Sequence, residues 1–173
     1  MIKKLLLASS FLLFLSGGIT AVNASVINAA ATAVKDTVPS ADVMAVVKEA
    51  ILAANTFNVQ AVANLYTPNA VVADDEPPYS WNGPTAGIQW VNAVEKAVKD
   101  FKISKFKGEI EPVKVYQQTA DNAYVVVPVN YTGGLPGRGH FTARGAFTFV
   151  LRQINYKWLI KSQVWMPGKA LEY

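Results

Sequence analysis

The 173-residue chain has no cysteine, a single histidine (His140), and only 16% charged residues. Without cysteine there is no disulfide framework, no thiolate metal site and no cysteine nucleophile. One histidine excludes any site that needs two or three imidazoles. No apolar run reaches the ~20 residues that span a bilayer, so no stable membrane insertion is expected. Zinc-ligand spacing, a strand-to-helix phosphate loop and a Ser-His-Asp set are all missing, so neither a metal nor a cofactor is expected. The glycine-rich run Gly133-Gly134-Leu135-Pro136-Gly137-Arg138-Gly139 joins two strand-like segments and reads as a hairpin.

What is present is a 51% apolar composition, enough to exclude general disorder. The length suits one domain at roughly 100–200 residues each. Lys3 and Lys4 followed by the apolar run Leu5–Leu15 read as a signal peptide, with Val22-Asn23-Ala24 as its cleavage site. The expected organisation is a signal peptide over 1–24, a flexible lead-in over 25–39 and one domain over 40–173. Export to the periplasm or the medium follows from that organisation. Of the 16 basic residues, 14 then remain against 12 acidic ones, so the exported chain is nearly neutral. Lys96, Lys99, Lys102, Lys105 and Lys107 alternate with Glu95, Asp100 and Glu109 and read as a solvated face. Nucleic acid is not an expected partner.

Ser40 is expected to cap a first helix whose stripe is Val43, Val46, Val47, Ala50, Ile51 and Ala54. Asn58 can cap a second, shorter helix carrying Val59, Val62, Leu65 and Tyr66, stopped by Thr67-Pro68-Asn69. Ala70–Ala73 reads as a short strand and 74–84 as a loop. Thr85 opens a third helix with apolar positions Ile88, Val91, Val94, Val98 and Phe101, flanked by Trp90. From about residue 104 the pattern alternates, giving strands near 105–117, 122–132, 139–153 and 156–166 joined by short turns, hence antiparallel. Helices preceding strands predict an α+β domain with the helices on one face of a curved, mainly antiparallel sheet.

This order resembles the nuclear transport factor 2-like superfamily, the cone-shaped, cystatin-like fold of SnoaL-like cyclases and ketosteroid isomerases. The residues that carry the resemblance are Val46–Asn55, Ala63–Val72, Gly83–Ile88 and Trp158–Trp165, within about residues 40 to 166. The resemblance implies a homodimer through the outer sheet face. It puts the isomerases' general base at Asp74, but Ala50 and Gly145 at the two positions that donate to the developing oxyanion. Neither side chain can donate, so steroid isomerisation is disfavoured.

Asp74, Asp75 and Glu76 are adjacent carboxylates, able to raise one pKa toward a general base. The competing reading is an exposed acidic loop. His140 and Arg144 fall on the face of their strand opposite Phe141, Gly145, Phe147 and Phe149, and so point away from the cone unless a bulge intervenes. Tyr66, Trp81, Trp90, Phe101, Phe147, Phe149 and Trp165 are expected to converge on one cavity. On the last strand either Leu159, Lys161, Gln163 and Trp165 face inward, or Trp158, Ile160, Ser162 and Val164 do. Asn130-Tyr131-Thr132 matches a glycosylation sequon. Three functions fit these residues. The first is a protein that holds a small apolar or aromatic molecule on Tyr66, Trp81, Trp90, Phe147, Phe149, Gln163 and Trp165. The second is a SnoaL-like enzyme with Asp74 as base, and the third a structural or adhesion module acting through the outer sheet face.

Overall fold

In the computed structural model, residues 38–168 are described. The expected signal peptide and most of the expected lead-in lie outside them. Helix α1 (Ala41–Thr56) buries Val43, Val47, Ala50, Ile51 and Ala54 completely, the stripe its spacing predicts. Ser40 precedes it in extended conformation, but its side chain makes no cap; its N–H instead donates to the Tyr116 hydroxyl at 2.9 Å. Asn58 does cap α2 (Val59–Val62), accepting from the N–H groups of Gln60 and Ala61.

α2 stops well short of Tyr66, which instead begins strand β1 (Tyr66–Ala73). A parallel ladder with the last strand, together with the Ile160 N–H to Leu65 carbonyl bond at 2.7 Å, draws this segment out of the helix. The loop expected over 74–84 contains a short strand, β2 (Ser80–Asn82), which sets Trp81 beside Val72. Helix α3 (Ala86–Asp100) buries Trp90, Val91 and Val98. Phe101 leaves the apolar stripe and is 62% exposed, because α3 ends at Asp100 and the chain turns through Lys102 at φ 52°.

The strand expected over 105–117 is two, β3 (Ser104–Ile110) and β4 (Val115–Gln118), both paired with β5 (Asn122–Leu135). Pro112, which has no N–H to donate, lies in the break. β5 forms an unbroken antiparallel ladder with β6 (Gly139–Ile154), which pairs in turn with β7 (Lys157–Pro167). The sheet order is β2-β1-β7-β6-β5-β3, with β4 also on β5. The domain is α+β with a mainly antiparallel sheet, as its element order predicts. The buried face carries Val125, Val127, Val129 and Tyr131 from β5, and Phe147, Phe149 and Leu151 from β6. No helix among the described residues is long and apolar enough to cross a membrane.

Which face of the last strand points inward has a mixed answer. The β6–β7 register shifts between Val150 and Leu151, leaving Lys161 as an extra residue on β7. Trp158 and Ile160 are buried before it, and Gln163 after it. A one-residue bulge reverses the parity, so each candidate face supplies half of the inner wall.

Candidate functional site

A cavity of about 920 Å³ opens between α3, the loop after β1 and the inner face of β5, β6 and β7. Its size lies within the range that accepts small organic ligands. Trp81, Trp90, Phe147 and Trp165 line it, and Phe101 sits at its rim. Tyr66, Phe149 and Gln163 do not reach its surface but form a buried layer beneath. The Tyr66 ring packs against Gly87 of α3, and its hydroxyl donates to Gln163 Oε1 at 2.6 Å. Phe141 also lines the cavity, on the inward face that the alternation of its strand predicts, while two further wall aromatics, Phe106 and Tyr131, were not among the residues the sequence singled out.

Asp74 follows β1 directly. With Val72 buried, strand parity carries the Asp74 side chain to the inner face, and it lines the cavity. The Asp74 N–H donates to the Tyr79 carbonyl and the Tyr79 N–H to that of Glu76, closing the acidic loop on itself. Trp90 Nε1 donates to Asp74 Oδ2 at 2.8 Å. Burial pushes the Asp74 carboxyl up from 3.8 to about 6. The Trp90 bond and the Glu76 N–H pull the other way, while a hydrogen bond and the charge of Asp75 push it further up. The group is still mainly ionised at neutral pH, as a general base must be.

Tyr131 shares this wall. Its ring stacks on Phe106 (centroids 5.3 Å apart, 10° between planes) and meets Trp165 edge-on at 5.5 Å. The Tyr131 hydroxyl is buried without a hydrogen-bond partner among the described residues. Burial first, and the Asp74 charge second, raise it far above the ordinary tyrosine range, so it stays protonated. A reciprocal pair fixes the strand beneath it. Asn55 Nδ2 donates to the Gly108 carbonyl at 2.9 Å, and the Gly108 N–H donates to Asn55 Oδ1 at 2.7 Å. A Cβ on Gly108 would fall 2.5 Å from the Tyr131 ring, so only glycine leaves the ring its seat.

His140 lies exposed at the start of β6, off the cavity, and the β5–β6 ladder has no bulge to turn it inward. Arg144 reaches the rim, but its guanidinium is exposed and bonded to Glu111 at 2.8 Å. Lys96 at the same mouth is paired with Asp100. Ala50 is core, and the space over Gly145 is taken by the Trp165 ring, 2.5 Å from where a Cβ would stand. No cluster of three or more potential metal ligands occurs among the described residues.

No protein-family model matches the chain, and no curated protein matches it by sequence. Solved structures do match. A ketosteroid isomerase-like protein from Erwinia carotovora atroseptica SCRI1043 superposes with a TM-score of 0.58 at 22% identity, over 73% of this chain and 94% of that one. The hexachlorocyclohexane dehydrochlorinase LinA-type3 from Novosphingobium barchaimii LL02 gives a TM-score of 0.63 at 13% identity, over 74% and 85%. A protein of unknown function with a cystatin-like fold from Nostoc punctiforme gives 0.54 at 10% identity, over 73% and 88%. Identities this low speak for architecture and leave the chemistry to the site itself. On architecture they agree with the ladder order and the helix placement: the chain has the nuclear transport factor 2-like, cystatin-like fold.

Proposed function

We propose that the protein holds a small, largely apolar molecule in the cavity and that Asp74 removes a proton from it. One observation carries this reading: a carboxylate held by Trp90 at 2.8 Å stands at the cavity beside Trp81, Tyr131, Phe147 and Trp165, with no cation bonded to it among the described residues. In such surroundings the carboxylate is poorly solvated and its basicity rises. The proton passes from a carbon of the ligand to an Asp74 oxygen, and the electron pair of the broken C–H bond stays on the ligand. The carbanion then either takes that proton back from Asp74 at a second carbon, completing an isomerisation, or expels a leaving group with its electron pair, completing an elimination after which Asp74 loses the proton to water. The dehydrochlorinase and the ketosteroid isomerase-like protein of the same fold lend support as architecture only.

An open cavity argues against the purely structural module, whose interior would be filled. Export after cleavage near Ala24 and pairing of two copies through the outer sheet face belong to the same reading, motivated by the leader-like start and the fold. The test is deuterium uptake from heavy water into the α-carbons of 2-tetralone, a bicyclic aromatic ketone with acidic C–H bonds. The protein is expected to accelerate uptake and Asp74→Asn to lose about 10²–10⁴-fold of that acceleration. Equal rates for the two proteins would remove Asp74 as a base and leave a binding protein.

A further inference from the structure

The cavity wall contains a polar group that proton abstraction by Asp74 does not use. The hydroxyl of Tyr131 is buried and bonded to nothing among the described residues. A phenylalanine would fill the same space without stranding a donor, and stranded buried donors are costly. The hydroxyl also has little freedom to find a partner by moving. Phe106 stacks on one face of its ring, Trp165 meets it edge-on, and the Gly108 backbone closes in on it within the distance of a single methyl group. A donor fixed in this way is suited to meet a group that arrives from the cavity.

We infer that Tyr131 donates its hydroxyl proton to an acceptor oxygen of the bound molecule, so that the cavity selects ring compounds bearing a carbonyl or similar oxygen over hydrocarbons of the same shape. Carboxylates and phosphates are poor candidates for that acceptor. Asp74, Asp75 and Glu76 all line the cavity, and the two cations at its mouth, Lys96 and Arg144, are already paired with Asp100 and Glu111. The acceptor is therefore a neutral oxygen. This inference rests on the cavity-binding half of the proposed function and is independent of whether Asp74 acts as a base.

Two shape-matched probes separate the possibilities: 2-tetralone, which has a carbonyl, and tetralin, which does not. The wild-type protein is expected to bind the ketone about three- to tenfold more tightly than the hydrocarbon, the worth of one neutral hydrogen bond. The carbonyl stretching band of the bound ketone should fall in frequency relative to the ketone in an apolar solvent. Tyr131→Phe should abolish the preference for the ketone over tetralin and restore the band. Equal affinities in the wild type, an unshifted band, or a preference that survives Tyr131→Phe would each overturn the inference and leave the cavity reading standing. Binding of neither probe would overturn both. The band position is read on the wild type alone, so that outcome stands whether or not the variant folds.

Discussion

The indole N–H of Trp90 donates to the Asp74 carboxylate at 2.8 Å, tying the second turn of α3 to the residue that follows β1. The same indole meets Phe147 edge-to-face, with centroids 5.6 Å apart and planes at 85°. One side chain therefore orients the Asp74 carboxylate and also builds part of the aromatic wall beside it. Its hydrogen bond lowers the Asp74 pKa, while the burial it shares in producing raises it, and burial wins. The result is a carboxylate near 6 rather than one with the ordinary value of 3.8.

That balance makes Asp74 a stability cost at neutral pH. The folded state holds the Asp74 proton up to about pH 6, whereas the unfolded chain releases it near the ordinary value of 3.8. Between those limits the native state binds more protons, so stability falls as pH rises from about 4 to 6 and then levels off. Asp74→Asn, which keeps an acceptor for Trp90, should gain on the order of 1–3 kcal/mol at pH 7 and lose this slope. Thermal unfolding of the two proteins from pH 3.5 to 8 measures both. Parallel stability curves would show that the carboxyl is not titrating in that window.

A second consequence concerns the rate. A base must be unprotonated, so kcat/KM for proton abstraction should climb as pH passes about 6 and stay level above it. Trp90→Phe removes the hydrogen bond that pulls the pKa down but keeps an aromatic ring in the wall. Its ascending limb should move to higher pH, with a stability loss of about 1–3 kcal/mol from the space the indole vacates. A limb that stays put would show that Trp90 packs against Asp74 without tuning it. Deuterium uptake against pH, run for both proteins, separates these outcomes.

Much of this arrangement was legible in the sequence because it follows from short-range periodicity. The α1 stripe, the Asn58 cap and the alternating faces of β5 and β6 are local patterns, and each appears as spaced. Tyr66 shows where local reasoning stops. Its helical spacing was real, but β7 offered backbone partners that a helix of one turn could not match. The Lys161 bulge shows the same limit, since nothing in the alternation of 157–167 marks the residue at which parity reverses.

The site itself was half visible. Asp74 and the aromatics Trp81, Trp90, Phe147 and Trp165 could be singled out by type and by position along the chain. Tyr131 could not, because its importance lies in a missing hydrogen bond, and only a three-dimensional account of donors and acceptors exposes that. One signal was available: Tyr131 continues the inward alternation of Val125, Val127 and Val129, so a hydroxyl was due on an otherwise apolar face.

Gly145 provides a prediction about what this cavity will not accommodate. The position that the fold resemblance assigns to an oxyanion donor is closed by the Trp165 ring, 2.5 Å from a built Cβ, and by the Met166 carbonyl. The ring can rotate away, but the carbonyl belongs to the β7 backbone, in the ladder that pairs Gly145 with Pro167 and Ala146 with Met166. Gly145→Ala should therefore strain that end of the β6–β7 ladder and cost about 1–3 kcal/mol, the usual range for overpacking. Displacement of Trp165 should change the tryptophan emission, and tetralin affinity should drop with it. Gly145→Asp should be worse on every count, adding a carboxylate where Asp74 already suffers from burial. Chemical denaturation with fluorescence detection reads the first two effects, and an unstrained Gly145→Ala protein with wild-type emission would show that the ladder can open at this point. On this geometry the chain has no room to acquire a donor at 145, which leaves Tyr131 as the donor already built into the wall.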